Sequence, residues 1–130
     1  MGTEVINQVA YYPNERVLFY QINSTVDKKE ADRLNNLGMQ SFDGGLVDFV
    51  LIDLKESSDF SSSARKVWVS FLKDERIKKT AIYGGNIFVR TLASFVIAAT
   101  GKKNIRFFNS EAAARDWLCT DGEWITNKQL

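Results

Sequence analysis

The run Val47-Asp48-Phe49-Val50-Leu51-Ile52-Asp53-Leu54 constrains this chain more than any other segment. Side chains of an extended strand alternate between two faces, and both alternating sets of this run are apolar apart from Asp48 and Asp53. A strand that is apolar on both faces is covered on both, which is the position of a central strand sandwiched between helices. The remainder of the sequence therefore has to supply amphipathic helices and partner strands.

It supplies them in order. Ala64, Val67, Trp68, Phe71 and Leu72 recur at three- and four-residue spacing, with Arg65, Lys66, Ser70 and Lys73 between them, the pattern of a helix with one buried stripe. Asp27 followed by Glu30 forms a capping-box pattern. The spacing after it predicts a helix that starts at Asp27, buries Ala31, Leu34, Leu37 and Phe42, and ends in left-handed conformations at Gly44-Gly45. Residues 80–83 read as a short strand, Asn86 as the cap of an apolar helix over residues 87–100, and Gly101 as its terminator. Ile105-Arg106-Phe107-Phe108 is a last strand. Ser110 then caps a final helix that carries Glu111 in its first turn, where the dipole favours an acid, and turns Ala113, Ala114, Trp117 and Leu118 inward. Upstream, residues 4–12 and 16–23 read as two strands joined at Pro13-Asn14-Glu15. The predicted order is ββαβαβαβα, an α/β chain with a mixed, mostly parallel sheet and an antiparallel opening hairpin.

No repeat and no Gly/Ser/Pro-rich linker divides the 130 residues, so residues 1–130 read as a single domain with 120–130 as a C-terminal tail. That tail is polar except for Trp124, Ile125 and Leu130, and is expected either to fold back or to pack on a second copy, which would make a homodimer. Seventeen Lys and Arg against sixteen Asp and Glu give a net charge of +1, and the basic residues are scattered, which argues against nucleic acid as a partner. The most apolar run, residues 92–99, falls well short of the roughly twenty residues a bilayer-crossing helix needs, so no transmembrane segment is expected. The single cysteine, Cys119, cannot close an intramolecular disulfide, and Met-Gly-Thr-Glu-Val lacks the basic start and apolar run of a secretory signal; both predict a cytoplasmic location.

The chain has no His, which removes the commonest general base, every Ser-His or Cys-His nucleophile pair and the commonest metal ligand. No metal-ligand set, cofactor motif or recognised carboxylate pair is evident, and the expectation is a protein that is not an enzyme, with no catalytic residues and no cofactor; the sixteen acids leave carboxylate-only chemistry as the remaining enzymatic reading. The carboxyl ends of parallel strands open onto a ligand crevice, which makes Asp53, Ser58, Gly84, Gly85 and Asn86 its candidate lining. Asp53 either contributes to that crevice, bonds a neighbouring loop amide, or reaches water at the strand end. Gly84-Gly85-Asn86 either forms an anion-binding nest or a plain turn with an Asn cap, and no phosphate-loop motif accompanies it.

Two ordered motifs resemble the SpoIIAA-like branch of the STAS-like family, which is related in fold to CRAL-TRIO-type carriers. The first is Leu51-Ile52-Asp53-Leu54, the connection Lys55-Glu56-Ser57-Ser58-Asp59-Phe60 and the helix start Ser61-Ser62-Ser63-Ala64. The second is Thr80-Ala81-Ile82-Tyr83-Gly84, the long apolar helix, Arg106-Phe107-Phe108 and Ser110-Glu111-Ala112-Ala113-Ala114-Arg115-Asp116-Trp117-Leu118. In this resemblance Ser62 falls on the phosphorylated serine of the anti-anti-sigma members, while Ser61 stands where the family has Asp and Ala64 where it has Gly. It implies a regulatory module with a protein partner, switched by phosphate at Ser62 or its neighbours Ser61 and Ser63. The competing reading is that this serine cluster caps its helix. The resemblance also implies carriage of an apolar small molecule or lipid with transient membrane association. The helix over 87–100 carries Phe88, Val89, Leu92, Phe95, Val96 and Ala99 on one stripe, read either as buried core or, for that function, as a ligand or membrane contact through Phe88, Leu92, Phe95 and Val96, flanked by the basic Lys102, Lys103 and Arg106.

Overall fold

The computed structural model describes residues 7–44 and 47–119. Its strands are β1 (Gln8–Tyr12), β2 (Val17–Gln21), β3 (Phe49–Asp53), β4 (Lys79–Tyr83) and β5 (Ile105–Phe108), and its helices are α1 (Lys28–Asp43), α2 (Ser62–Leu72), α3 (Ile87–Thr100) and α4 (Glu111–Leu118). The observed order is ββαβαβαβα, with the strands side by side in sequence order in one sheet. Only the β1–β2 pair is antiparallel; β2, β3, β4 and β5 pair in parallel.

Every residue of β3 is buried, as a doubly covered central strand requires. Val50 and Ile52 join Leu18, Tyr20 and Ile82 on the face covered by α1, α2 and α3. Phe49 and Leu51 join Val17, Ala81 and Tyr83 on the opposite face, against Ala114 and Leu118 of α4. Asp48, just before the strand, is held by Arg16 at 2.8 Å and Lys78 at 3.7 Å.

Several local expectations are corrected. Arg16 does not begin the second strand: its φ of 60° places it in the hairpin turn, where its amide donates to the Pro13 carbonyl. Residues 4–6 of the first predicted strand lie outside the described residues. Asp27 caps α1 by accepting from the Glu30 amide at 2.8 Å, but the Glu30 carboxylate turns to Asn7 and Arg33 rather than back to the cap. Leu37 is exposed, and Gly38 takes the inward place against Tyr20. The α1 terminus at Gly44 is right-handed, with φ at −77°, and Gly45 lies outside the described residues. In α4, Ala114 and Leu118 are buried as expected, whereas Ala113 is exposed and Trp117 is only half-buried.

Candidate functional site

Residues 54–61 carry the chain from β3 into α2, and they are pinned to the β2–α1 connection. The Val26 amide donates to Asp59 O at 2.8 Å and the Ser61 amide donates to Val26 O at 3.0 Å, forming a short parallel bridge between Val26 and Phe60. Ser58 Oγ and Thr25 Oγ1 share a hydrogen bond of 2.8 Å beside it. Val26 is fully buried, so this bridge anchors the approach to α2 in the core.

The anchor fixes which serine caps the helix. Ser61 has extended backbone angles, φ −62° and ψ 160°, and its Oγ accepts from the Ala64 amide at 3.0 Å. Ser62 and Ser63 are the first two helical residues, and both are exposed. Their amides belong to the first turn, where no intrahelical acceptor exists and the dipole favours negative charge. No acidic residue occupies that turn.

One turn onward, Arg65 and Lys66 share a surface groove of about 350 Å³ with Ser62, Val69, Phe95, Val96 and Ala99. Behind it, a smaller cavity of about 40 Å³ lies beneath α3, walled by Ile52 and Ile82 of the sheet, Leu72 of α2, and Val89, Leu92 and Val96 of α3. Arg65 and Val96 line both spaces, and Trp68 lines the inner one. Arg65 Nε and Trp68 Nε1 are buried without a hydrogen-bond acceptor among the described residues. Residue spacing assigned Arg65 to the polar stripe of its helix and Trp68 to the core; neither residue stands out as a binding group from sequence.

The crevice candidates divide between two environments. Asp53 faces the α4 side of the sheet, is almost completely buried, and accepts from the Lys55 amide at 2.8 Å, with Lys55 Nζ at 3.7 Å. Tyr83 stands opposite it in register on β4, and burial, followed by the charge of Asp53, raises the phenol well above its ordinary ionisation range. Gly84 and Gly85 adopt φ of +87° and +92°. A Cβ on Gly84 would lie 2.8 Å from the Lys55 amide nitrogen, so this glycine serves close packing of two loops. Asn86 Oδ1 accepts from the Val89 amide at 2.9 Å and caps α3. Ser58 lies apart from these residues, at the α2 approach.

The apolar candidates do not form one surface. Leu92 and Val96 turn inward to the cavity, while Phe95 lies 60% exposed along the groove and Phe88 is 52% exposed. The expected stripe of α3 is thus rotated: Val89, Leu92, Ala93 and Thr100 are its buried residues. The neighbouring basic residues are dispersed as well. Lys102 Nζ donates to the carbonyls of Leu72 and Asp74 at 3.1 and 2.9 Å, closing the C-terminal end of α2, and Arg106 stacks on Trp117 of α4. Among the described residues no helix is long and apolar enough to cross a membrane, and no group of Cys, Asp and Glu side chains is placed to hold a metal ion. Cys119 is buried against the α4 side of the sheet, and the tail beyond it, with Trp124, Ile125 and Leu130, lies outside the described residues.

No protein-family model and no curated protein matches the sequence. Solved structures do match. The anti-sigma factor antagonist SpoIIAA in its unphosphorylated form superposes with a TM-score of 0.64 at 12% identity, covering 90% of this chain and 99% of that one. The Bacillus cell fate determinant SpoIIAA in its phosphorylated form gives 0.63 at 13% identity, over 87% of this chain and 99% of that one. An uncharacterised protein of the DUF3478 family with a SpoIIAA-like fold, from Shewanella loihica PV-4, gives 0.63 at 20% identity, over 92% and 99%. With its element order, its mixed five-stranded sheet and these superpositions, the chain has the SpoIIAA-like fold of the STAS type.

Proposed function

We propose that this protein is a non-catalytic regulatory module of the cytosol that binds a protein partner through the first turn of α2 and the adjoining groove, and that phosphate on Ser62 switches that surface. The observation that carries this reading is the division of labour between two adjacent serines. Ser61 spends its hydroxyl on the helix cap, which leaves Ser62 exposed at the first helical position.

A phosphoserine there would add about −1.5 to −2 charge where helix amides and dipole favour an anion. Arg65 and Lys66 follow Ser62 at three- and four-residue spacing, the positions that share a helix face with it. The described residues lining the groove include two cations and no acid, so the modification would largely or wholly cancel its charge. Solved structures of SpoIIAA in phosphorylated and unphosphorylated forms support the reading by analogy of fold.

Incubation with a kinase fraction from the source cells, followed by phosphosite mapping, tests the switch. The expected result is phosphate on Ser62 in preference to the hydrogen-bonded Ser61, and loss or gain of a specific captured protein on Ser62→Asp substitution. Absence of phosphate from Ser61, Ser62 and Ser63, with identical capture by the parent and Ser62→Asp proteins, would remove the hypothesis.

A further inference from the structure

We infer that the cavity beneath α3 is a binding site for small apolar carboxylates, with Arg65 and Trp68 as the donors to the carboxylate. This goes beyond the partner reading, with which it shares Arg65 and Val96, and rests on the inner cavity and on Trp68, which that reading does not use.

The wall chemistry is one-sided. Apart from Arg65 and Trp68 the lining side chains are hydrocarbon, so they offer no acceptor to either donor. Trp68 is only 4% exposed, and both its Nε1 and the Nε of Arg65 lack partners among the described residues. A buried donor left unpaired costs about 1–3 kcal/mol, more when it belongs to a charged group such as a guanidinium, which is a penalty a bound acceptor would relieve. A carboxylate brings two acceptor oxygens and the charge that complements a guanidinium. An alcohol brings a single neutral oxygen, and an ammonium brings donors to a wall whose polar side-chain groups are themselves donors. The hydrocarbon remainder of the cavity selects the apolar body.

Size and access narrow the ligand further. A water needs roughly 10–15 Å³ on the same measure, so about 40 Å³ suits a short or branched chain of a few carbons rather than a long acyl chain. Arg65 and Val96 line both the cavity and the groove, so the guanidinium stands where the two spaces adjoin, with Lys66 on the groove side. The acid would thus enter hydrocarbon first, and its carboxylate would remain at the Arg65 boundary.

Titration of the full-length, ¹⁵N-labelled protein with sodium hexanoate tests the site, using the Trp68 indole resonance identified by its loss in Trp68→Phe. Hexan-1-ol, hexylammonium chloride and sodium phosphate serve as separate probes. The expected result is a saturable shift of the Trp68 indole and Arg65 Nε–H resonances with hexanoate, binding about tenfold or more tighter than hexanol, and no binding of hexylammonium. Arg65→Met should weaken hexanoate about tenfold and leave hexanol unchanged, while Ala93→Leu, which fills the space from the α3 side, should weaken both. Equal affinity for hexanoate and hexanol would overturn the proposal, as would matching shifts with phosphate alone, or no shift of the Trp68 indole at millimolar hexanoate.

Discussion

Gly38→Ala should destabilise this protein, although the same change in the middle of most helices stabilises. Alanine is worth about 1 kcal/mol over glycine in a helix interior. At position 38, however, a Cβ would collide with Tyr20 Oη and lie 3.0 Å from Leu18 Cδ2 and 3.1 Å from Tyr20 Cζ. Tyr20 cannot swing aside easily. It is fully buried, and its ring is set edge-on to Trp68 and Phe71, with centroids 5.0 and 5.5 Å away. Overpacking of this kind costs about 1–3 kcal/mol, and the rigid neighbours put it in the upper part of that range, so after the helix gain the net effect is a loss of about 1–2 kcal/mol. For a domain of this size that lowers Tm by roughly 3–8 °C. The cause can be isolated with Tyr20→Phe, which removes a hydroxyl that has no hydrogen-bond partner among the described residues and should itself be nearly neutral. In that background the remaining contacts need only small shifts, and Gly38→Ala should approach neutrality, giving a coupling of about 1–2 kcal/mol in a four-protein cycle measured by urea denaturation. A Gly38→Ala protein as stable as the parent, or an equal loss with and without the Tyr20 hydroxyl, would refute the reasoning.

Ser61→Ala should cost about 1 kcal/mol by removing the α2 cap, whereas Ser62→Ala should stay within about 0.5 kcal/mol; urea midpoints of the two variants check the difference. Burial raises the phenols of Tyr20 and Tyr83 above their ordinary value of 10.0. The stability contributed by keeping them neutral is complete below pH 10 and falls above it by about 1.4 kcal/mol per pH unit for each tyrosine, so their absorbance change near 295 nm should coincide with loss of circular dichroism. Ionisation of both phenols in a protein that retains its fold would contradict this. Hydrogen bonds from Arg33 hold the Glu30 carboxyl below its ordinary 4.5, and hydrogen bonds from Arg76 hold that of Asp74 below 3.8. Their contribution is complete above those values and is lost as pH falls through the lowered ones, so Glu30→Gln should flatten the acid limb of a stability-against-pH curve.

The parts of this fold legible in the sequence are those governed by local rules. The doubly apolar run around β3, the Asp27, Asn86 and Ser110 caps and the left-handed Gly101 depend on a few neighbouring residues, and the structure places each of them as read. The failures concern rotation and long-range contact. Helix α3 is apolar at so many positions that periodicity admits more than one buried face; close approach to α2 and the sheet selects the face containing Ala93 and exposes Phe88 and Phe95. Gly38 looks neutral within α1 because its reason for being glycine is a tyrosine eighteen positions upstream. Arg65 reads as solvated because spacing within α2 says nothing of the α3 side chain, Val96, that meets the same two spaces.

That last residue joins the two functional readings and sets them against each other. Arg65 lies one turn after Ser62, lines the groove with it, and also borders the inner cavity. A guanidinium drawn outward to a phosphate on Ser62 is removed from a carboxylate held in the cavity, because one charge cannot pair fully with both. Ser62→Asp should therefore weaken hexanoate by a few-fold through a surface-screened i,i+3 pair with Arg65, while hexanol, which makes no demand on the guanidinium, should bind as it does to the parent. The same comparison in an Arg65→Met background should show no effect of Ser62→Asp on hexanoate. If hexanoate and hexanol weaken in parallel, the substitution has altered the cavity rather than the charge at its entrance, and the competition at Arg65 is excluded.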